Sequence, residues 1–177
     1  LLFSSAAALF SLLLLPRFDT STAAFQFMEH MPWIARYQIN YTIGVDGISI
    51  LLVWLTTLIT PLCVLASWSY IKTRVKEFMI ALLLMETTMI GVFCALDTIL
   101  FFTFWESMLI SMALMIGVWG GPRRVYASLK FFIYTMAASV FLLVALIALR
   151  LNTGSFSLVD TMGAPLTPGF QAWIFGA

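Results

Sequence analysis

The sequence FMIALLLMETTMIGVFCALDTILFFTFWESMLISMALMIGV, residues 78–118, decides the fold. Its charged residues are three acids, Glu86, Asp97 and Glu106. A helix crosses a bilayer core of about 30 Å with about 20 mostly apolar residues, so this run is too long for one span. Near its middle, Asp97-Thr98 has the chemistry of a helix N-cap. The spacing predicts two antiparallel helices, 78–96 and 98–118, joined by a tight turn and closed by Gly120-Gly121-Pro122.

Working outward, residues 47–71 carry no charge and are preceded by an Asp-capped entry, Gly44-Val45-Asp46-Gly47-Ile48-Ser49. Pro61 falls inside this run and predicts a local kink. Residues 126–149 lie between Arg123-Arg124 and Arg150, and the uncharged opening ends at Pro16-Arg17. The fold class expected is an all-α integral membrane protein, a bundle of about five transmembrane helices at about 1–15, 45–70, 78–96, 98–118 and 126–149. The chain opens on Leu1-Leu2-Phe3 and closes in the apolar run Trp173-Ile174-Phe175. We therefore expect 1–177 to be a single membrane segment, incomplete at both ends.

Composition agrees: 62% of the 177 residues are hydrophobic, 10% are charged, and the mean hydropathy is +1.04. Soluble domains carry about 25% charged residues, so this chain lacks the polar surface to cover itself in water. The formal charge of +1 leaves no basic stripe for nucleic acid. Cys63 and Cys94 sit in apolar runs and read as small apolar fillers. His30, the single histidine, has no second ligand nearby and reads as a loop residue. The aromatic residues of 17–44 (Phe25, Phe27, Trp33, Tyr37 and Tyr41) read as an interfacial belt. The alternation around Phe25-Gln26-Phe27 also allows a short strand that contacts another subunit.

Sidedness follows from Lys and Arg, which favour cytoplasmic loops. Loops 17–44, 97 and 150–172 hold Arg17, Arg36 and Arg150; the opposite side holds Lys72, Arg74, Lys76, Arg123, Arg124 and Lys130. The second side is assigned to the cytoplasm.

Two acids remain where a charge is expensive. Glu86 lies eleven residues before Asp97 and Glu106 nine after it. At 1.5 Å per residue both sit about 14–16 Å below one face, near the bilayer midplane. Thr103, Ser107 and Ser111 recur at i, i+4 and i+8 beside Glu106, with Thr87, Gly91 and Cys94 beside Glu86 and Ser128, Thr135 and Ser139 on the fifth helix. These residues suggest a hydrated seam of hydroxyls between three helices. Intramembrane acids face the bundle interior and serve ion or proton pathways by default, and two that approach each other share a proton. Proton transfer by Glu106, with Glu86 as a further relay, is one reading. The other is that each Glu is neutral and hydrogen-bonded to a Thr or Ser across a helix interface, in a passive membrane scaffold. Phosphate-binding glycine loops, GxGxxG, GxSxG, HExxH and CxxC motifs are absent.

The runs Phe104-Trp105-Glu106-Ser107-Met108-Leu109-Ile110, Gly117-Val118-Trp119-Gly120-Gly121-Pro122-Arg123-Arg124 and Lys130-Phe131-Phe132-Ile133-Tyr134-Thr135 closely resemble chain 4 (subunit M) of the respiratory NADH:quinone oxidoreductase, complex I. The segments 44–49 and 91–97 are similar to the same antiporter-like family. The resemblance implies the second to sixth helices of a roughly fourteen-helix subunit with an inverted-repeat fold, translocating protons as quinone is reduced elsewhere. It matches Glu106 to the family's intramembrane Glu, whose Lys partner lies on a later, broken helix. Glu86 matches no invariant feature of the family, some members of which carry an acid there and others an apolar residue, and its reading rests on position alone. The resemblance further implies no cofactor bound by this chain, with NADH, FMN, Fe-S clusters and quinone in other subunits. Implied partners are other membrane subunits and the lipid bilayer. The implied location is a bacterial cytoplasmic (inner) membrane or, alternatively, a mitochondrial inner membrane. A monovalent cation/proton antiporter or membrane-bound hydrogenase subunit would use the same helices.

Overall fold

The computed structural model describes residues 1–176. It is mostly helical, in the order α1 (Leu2–Leu14), β1 (Gln26–Ile34), β2 (Ile39–Val45), α2 (Gly47–Tyr70), α3 (Val75–Cys94), α4 (Thr98–Trp119), α5 (Arg124–Thr153), α6 (Leu158–Thr161) and α7 (Pro168–Gly176). The helices α2, α3, α4 and α5 are each long and apolar enough to cross a membrane; α1 is shorter, ending in a 3-10 turn at Leu15–Arg17.

Four of the α2–α5 boundaries have a local cause. Asp46 caps α2 by accepting from the Ser49 N–H at 2.7 Å. The connection before α3 passes through Arg74 in the left-handed region, φ 52°, and the Arg74 Nε meets the Glu77 carboxylate at 2.8 Å. Asp97 caps α4, its Oδ1 accepting from the Ile99 N–H at 2.9 Å and the Leu100 N–H at 3.1 Å. At the end of α5, Gly154 adopts φ 83°, where a side chain would be strained. The fifth helix runs to 30 residues, longer than 126–149, because Arg124 and Val125 extend it at one end and Arg150–Thr153 at the other. That gives about 45 Å, enough to project beyond a hydrocarbon core.

The segment read as a loop over 17–44 is largely a hairpin. β1 and β2 pair antiparallel in the register Glu29↔Ile43, His30↔Thr42 and Met31↔Tyr41, with irregularities beside Phe27 and Pro32. Pro32 is tolerated because β1 is an edge strand. His30 is a strand residue whose Nδ1 lies 2.8 Å from Thr42 Oγ1.

The hairpin also locks the α3–α4 corner. Leu96 N–H donates to Thr42 O at 2.9 Å, Thr98 N–H to Phe156 O at 2.8 Å, and Leu158 N–H to Leu96 O at 2.8 Å. Asp97 Oδ2 accepts from the Asn40 N–H at 3.2 Å, while Arg150 donates to Gln38 Oε1 at 2.8 Å. Segments 38–43, 95–98, 150 and 155–158 thus meet at one end. At the other end the Trp119 indole N–H donates to Thr73 O at 2.9 Å and its ring meets Phe78 edge-on.

The interior is small and partly polar, and the large apolar side chains point out. Ser4, Ser11, Thr56, Thr57, Thr60, Thr88, Ser111 and Ser139 are buried, whereas Leu2, Phe3, Phe10, Leu62 and Phe141 are exposed. Ser11 and Thr57 share a hydrogen bond of 2.6 Å between α1 and α2. Such packing suits lipid, where helices associate through small residues and interhelical hydrogen bonds.

Candidate functional site

The contact between α3 and α4 fixes where the two acids point. A Cβ on Gly91 would run into the Phe104 ring, so these helices touch at Gly91 and Phe104. Each helical residue turns about 100°, which places Glu106 about 200° around α4 from Phe104, away from α3. On the opposite face of α4, the Ser128 hydroxyl of α5 donates to Ala113 O at 2.6 Å, and Gly117 also lies against Ser128. Glu106 is seven residues, close to two turns, before Ala113 and shares that face. In the antiparallel α4–α5 pair the same two turns lead from Ser128 to Thr135. Glu106 therefore sits at the α4–α5 interface, level with Thr135.

Glu86 faces the other way. It lies about 140° from Gly91 around α3 and lines a cavity of about 230 Å³ between α2 and α3, together with Thr56, Thr60, Cys63, Leu82, Met85 and Met89. Glu86 is 5% exposed. The structure does not bring the two acids together as a proton-sharing pair; the α3–α4 contact separates them.

The expected hydroxyl seam is also divided. Thr103, Ser107 and Ser111 donate to the carbonyls of Ile99, Thr103 and Ser107, four residues earlier, at 2.8–3.0 Å. Thr135 donates to Phe131 O at 2.6 Å and Ser139 to Met136 O at 3.0 Å. Thr87 is exposed and donates to Leu83 O. Each hydroxyl proton is spent on backbone, so these side chains offer lone pairs rather than donors. One oxygen of each acid, Oε1 of Glu86 and of Glu106, is buried without a hydrogen-bond partner. In apolar surroundings such an oxygen needs a proton, a cation or water.

Thr56 and Thr60 went unassigned in the sequence. Their signal was present: Thr56, Thr57 and Thr60 follow i, i+1, i+4 spacing in an otherwise apolar helix. Among the described residues no cluster of His, Cys, Asp and Glu could hold a metal ion.

Known proteins share the sequence and the fold of this chain. Residues 1–93 match the family model described as NADH-ubiquinone oxidoreductase chain 4, amino terminus, and residues 95–174 match NADH:quinone oxidoreductase/Mrp antiporter, TM. The chain is 50% identical over 154 residues to NADH-quinone oxidoreductase subunit M of Rhodobacter capsulatus, covering 87% of this chain and 30% of the relative. It is 46% identical over 151 residues to NADH-ubiquinone oxidoreductase chain 4 of Arabidopsis thaliana, covering 85% and 30%. The chain thus spans about three tenths of the length of these curated relatives. Among solved structures, a chain of respiratory complex I from Thermus thermophilus superposes with TM-score 0.81 at 29% identity, covering 97% of this chain and 36% of that one. A chain of the Mrp complex from Dietzia sp. DQ12-45-1b superposes with TM-score 0.80 at 17% identity, covering 97% and 19%, a likeness of fold alone. With one family model matched along more than half of its length, and the second along most of the rest, the chain belongs to the NADH-ubiquinone oxidoreductase chain 4 family.

Proposed function

We propose that this chain is part of the proton-translocating membrane subunit of an NADH:quinone oxidoreductase, and that Glu106 carries the proton through it. The observation that supports this most directly is the unpartnered, buried Oε1 of Glu106 near the middle of α4. A carboxyl there takes up a proton without breaking a hydrogen bond at that oxygen. It returns the proton when a cation or water approaches along the α4–α5 interface. Thr135, level with it, supplies lone pairs but no free donor. Among the described residues no Lys or Arg pairs with Glu106, which suits a group that switches.

Glu86 lies outside this path, on the far side of the α3–α4 contact. In this reading NADH, flavin, Fe-S clusters and quinone belong to other subunits, and the helices of this chain are embedded beside other membrane subunits. The location that goes with this reading is a bacterial cytoplasmic membrane or, alternatively, a mitochondrial inner membrane.

The test is Glu106→Gln in the full-length subunit within its assembled complex, read as proton pumping and NADH:quinone turnover. Coupled pumping is expected to fall about 10²-fold, the lower range for losing a positioned proton donor and acceptor. Unchanged pumping and turnover at normal assembly would overturn the reading in favour of a scaffold. Sodium- or potassium-dependent proton exchange without NADH:quinone turnover would replace it with cation/proton antiport. Dependence on a hydrogenase partner would replace it with that complex.

A further inference from the structure

The cavity between α2 and α3 is a second candidate site, separate from Glu106 and independent of its role. Glu86 is its buried acid, 5% exposed, with Oε1 unpartnered. Thr56 and Thr60 are among the other residues that line it. Their protons are committed to Leu52 O at 2.8 Å and to Thr56 O at 2.9 Å. Both hydroxyls are left as acceptors. The rest of the lining is mostly apolar, including Leu55, Met85 and Met89.

The few oxygen-bearing side chains of this lining, Glu86, Thr56 and Thr60, are therefore acceptors without a strong donor among them, set in a mostly apolar wall. A water molecule donates to at most two of these oxygens and leaves the apolar part of the wall without a partner. A metal ion would demand several more oxygens at short range. A primary ammonium brings three donors and no acceptor. An apolar stem attached to it would meet the leucine and methionine side chains, in the way lysine stems lie along apolar surface. The volume, about 230 Å³, falls below the roughly 300–1,000 Å³ of pockets that take drug-sized ligands, so the occupant is small.

We propose that this cavity binds a primary ammonium group on an apolar stem, with Glu86 as its counter-ion and Thr56 and Thr60 as its neutral acceptors. Two sources share that chemistry: a lysine side chain from another part of the assembled complex, and a free alkylamine.

The experiment treats the complete complex in its native membrane with dicyclohexylcarbodiimide, with and without n-octylamine, and reads the peptide bearing Glu86 by mass spectrometry. The carboxylic acid adds across one C=N bond of the reagent to give an O-acylisourea. An amine seated beside it attacks the acyl carbon, and dicyclohexylurea leaves as the amide forms. An isopeptide bond from Glu86 to a lysine supports the proposal and identifies a protein-borne ammonium. An octylamide at Glu86, formed only with added octylamine, supports it and identifies a free-amine site. An N-acylurea alone, or unmodified Glu86, under saturating octylamine overturns it. Glu86→Gln abolishes the product. Thr60→Val is expected to lower the amide yield about tenfold, the equivalent of one hydrogen bond to a charged group, while Thr60→Ser retains it.

Discussion

A carboxylate in an apolar chain is either held by donors or left without them, and the three acids of residues 78–118 divide on that point. Asp97 accepts from the N–H groups of Ile99, Leu100 and Asn40 and is 2% exposed. Glu86 and Glu106 each keep a buried oxygen without a partner. Asp97 is thus structural, and the other two are free to bind something. Asp97→Ala is expected to cost about 2–3 kcal/mol, through loss of the α4 cap and two or more buried N–H groups left unpaired. It would appear as a lower thermal unfolding midpoint of the full-length subunit in detergent, with Asp97→Asn losing less. Asp46 caps α2 in the same way, but closer to water. The Ser49 N–H donates to its carboxylate, with a further contribution from the Ser49 side chain, and together they hold Asp46 below the usual carboxylate range. A depressed folded value means that the cap's contribution is complete above the ordinary Asp range and is lost as pH falls through the folded value. Amide exchange at Ser49 should therefore lose protection only on strong acidification, and Asp46→Asn should remove that acid step.

At the scale of elements, the α3–α4 contact decides which acid faces which neighbour. Gly91 permits it, since any Cβ there strikes the Phe104 ring. Gly91→Ala should destabilise the subunit by about 1–3 kcal/mol, the usual range for overpacking. Adding Phe104→Ala should return part of that loss, and a double-mutant cycle in thermal stability measures the coupling. The helices themselves were legible because charges and caps punctuate an apolar chain: Asp46, Asp97 and Gly154 all mark helix ends. The hairpin was less so. Its strands carry aromatic residues, a proline and polar residues without clean alternation, since β1 has little buried face and an alternating pattern has nothing to encode. The depths of Glu86 and Glu106 followed from counting residues. Their directions did not, because a stripe such as Thr103, Ser107 and Ser111 satisfies itself within its own helix and says little about a neighbour. Only the contacts of Gly91 with Phe104 and of Ser128 with Ala113 resolved which way each acid turns.

For the molecule as a whole, hydrogen bonding gathers the connections into two sets. The hairpin, the 95–98 corner and residues 155–158 are joined at one end, while the Trp119 bond to Thr73 joins the α2–α3 and α4–α5 connections at the other. The second end carries Lys72, Arg74, Lys76, Arg123 and Arg124; the first carries Arg36 and Arg150, with Arg150 donating to Gln38 across the hairpin. Positive charge is retained on the cytoplasmic side during insertion, so the second end should face the cytoplasm. The surface between the ends supports insertion, because Leu62, Leu114 and Phe141 are exposed while Thr57 and Ser111 are buried. Lys76 and Asp160 are exposed residues at opposite ends and provide the measurement. In the full-length subunit with Cys63 and Cys94 replaced by alanine, Lys76→Cys should react with a membrane-impermeant maleimide only in inverted vesicles. Asp160→Cys should react only in right-side-out vesicles. Labelling of both from one side would break the alternation of α3, α4 and α5 across the bilayer and would remove the midplane position on which the role of Glu106 depends. Labelling from opposite sides in the reverse sense would keep that position and overturn only the assignment of the basic end to the cytoplasm.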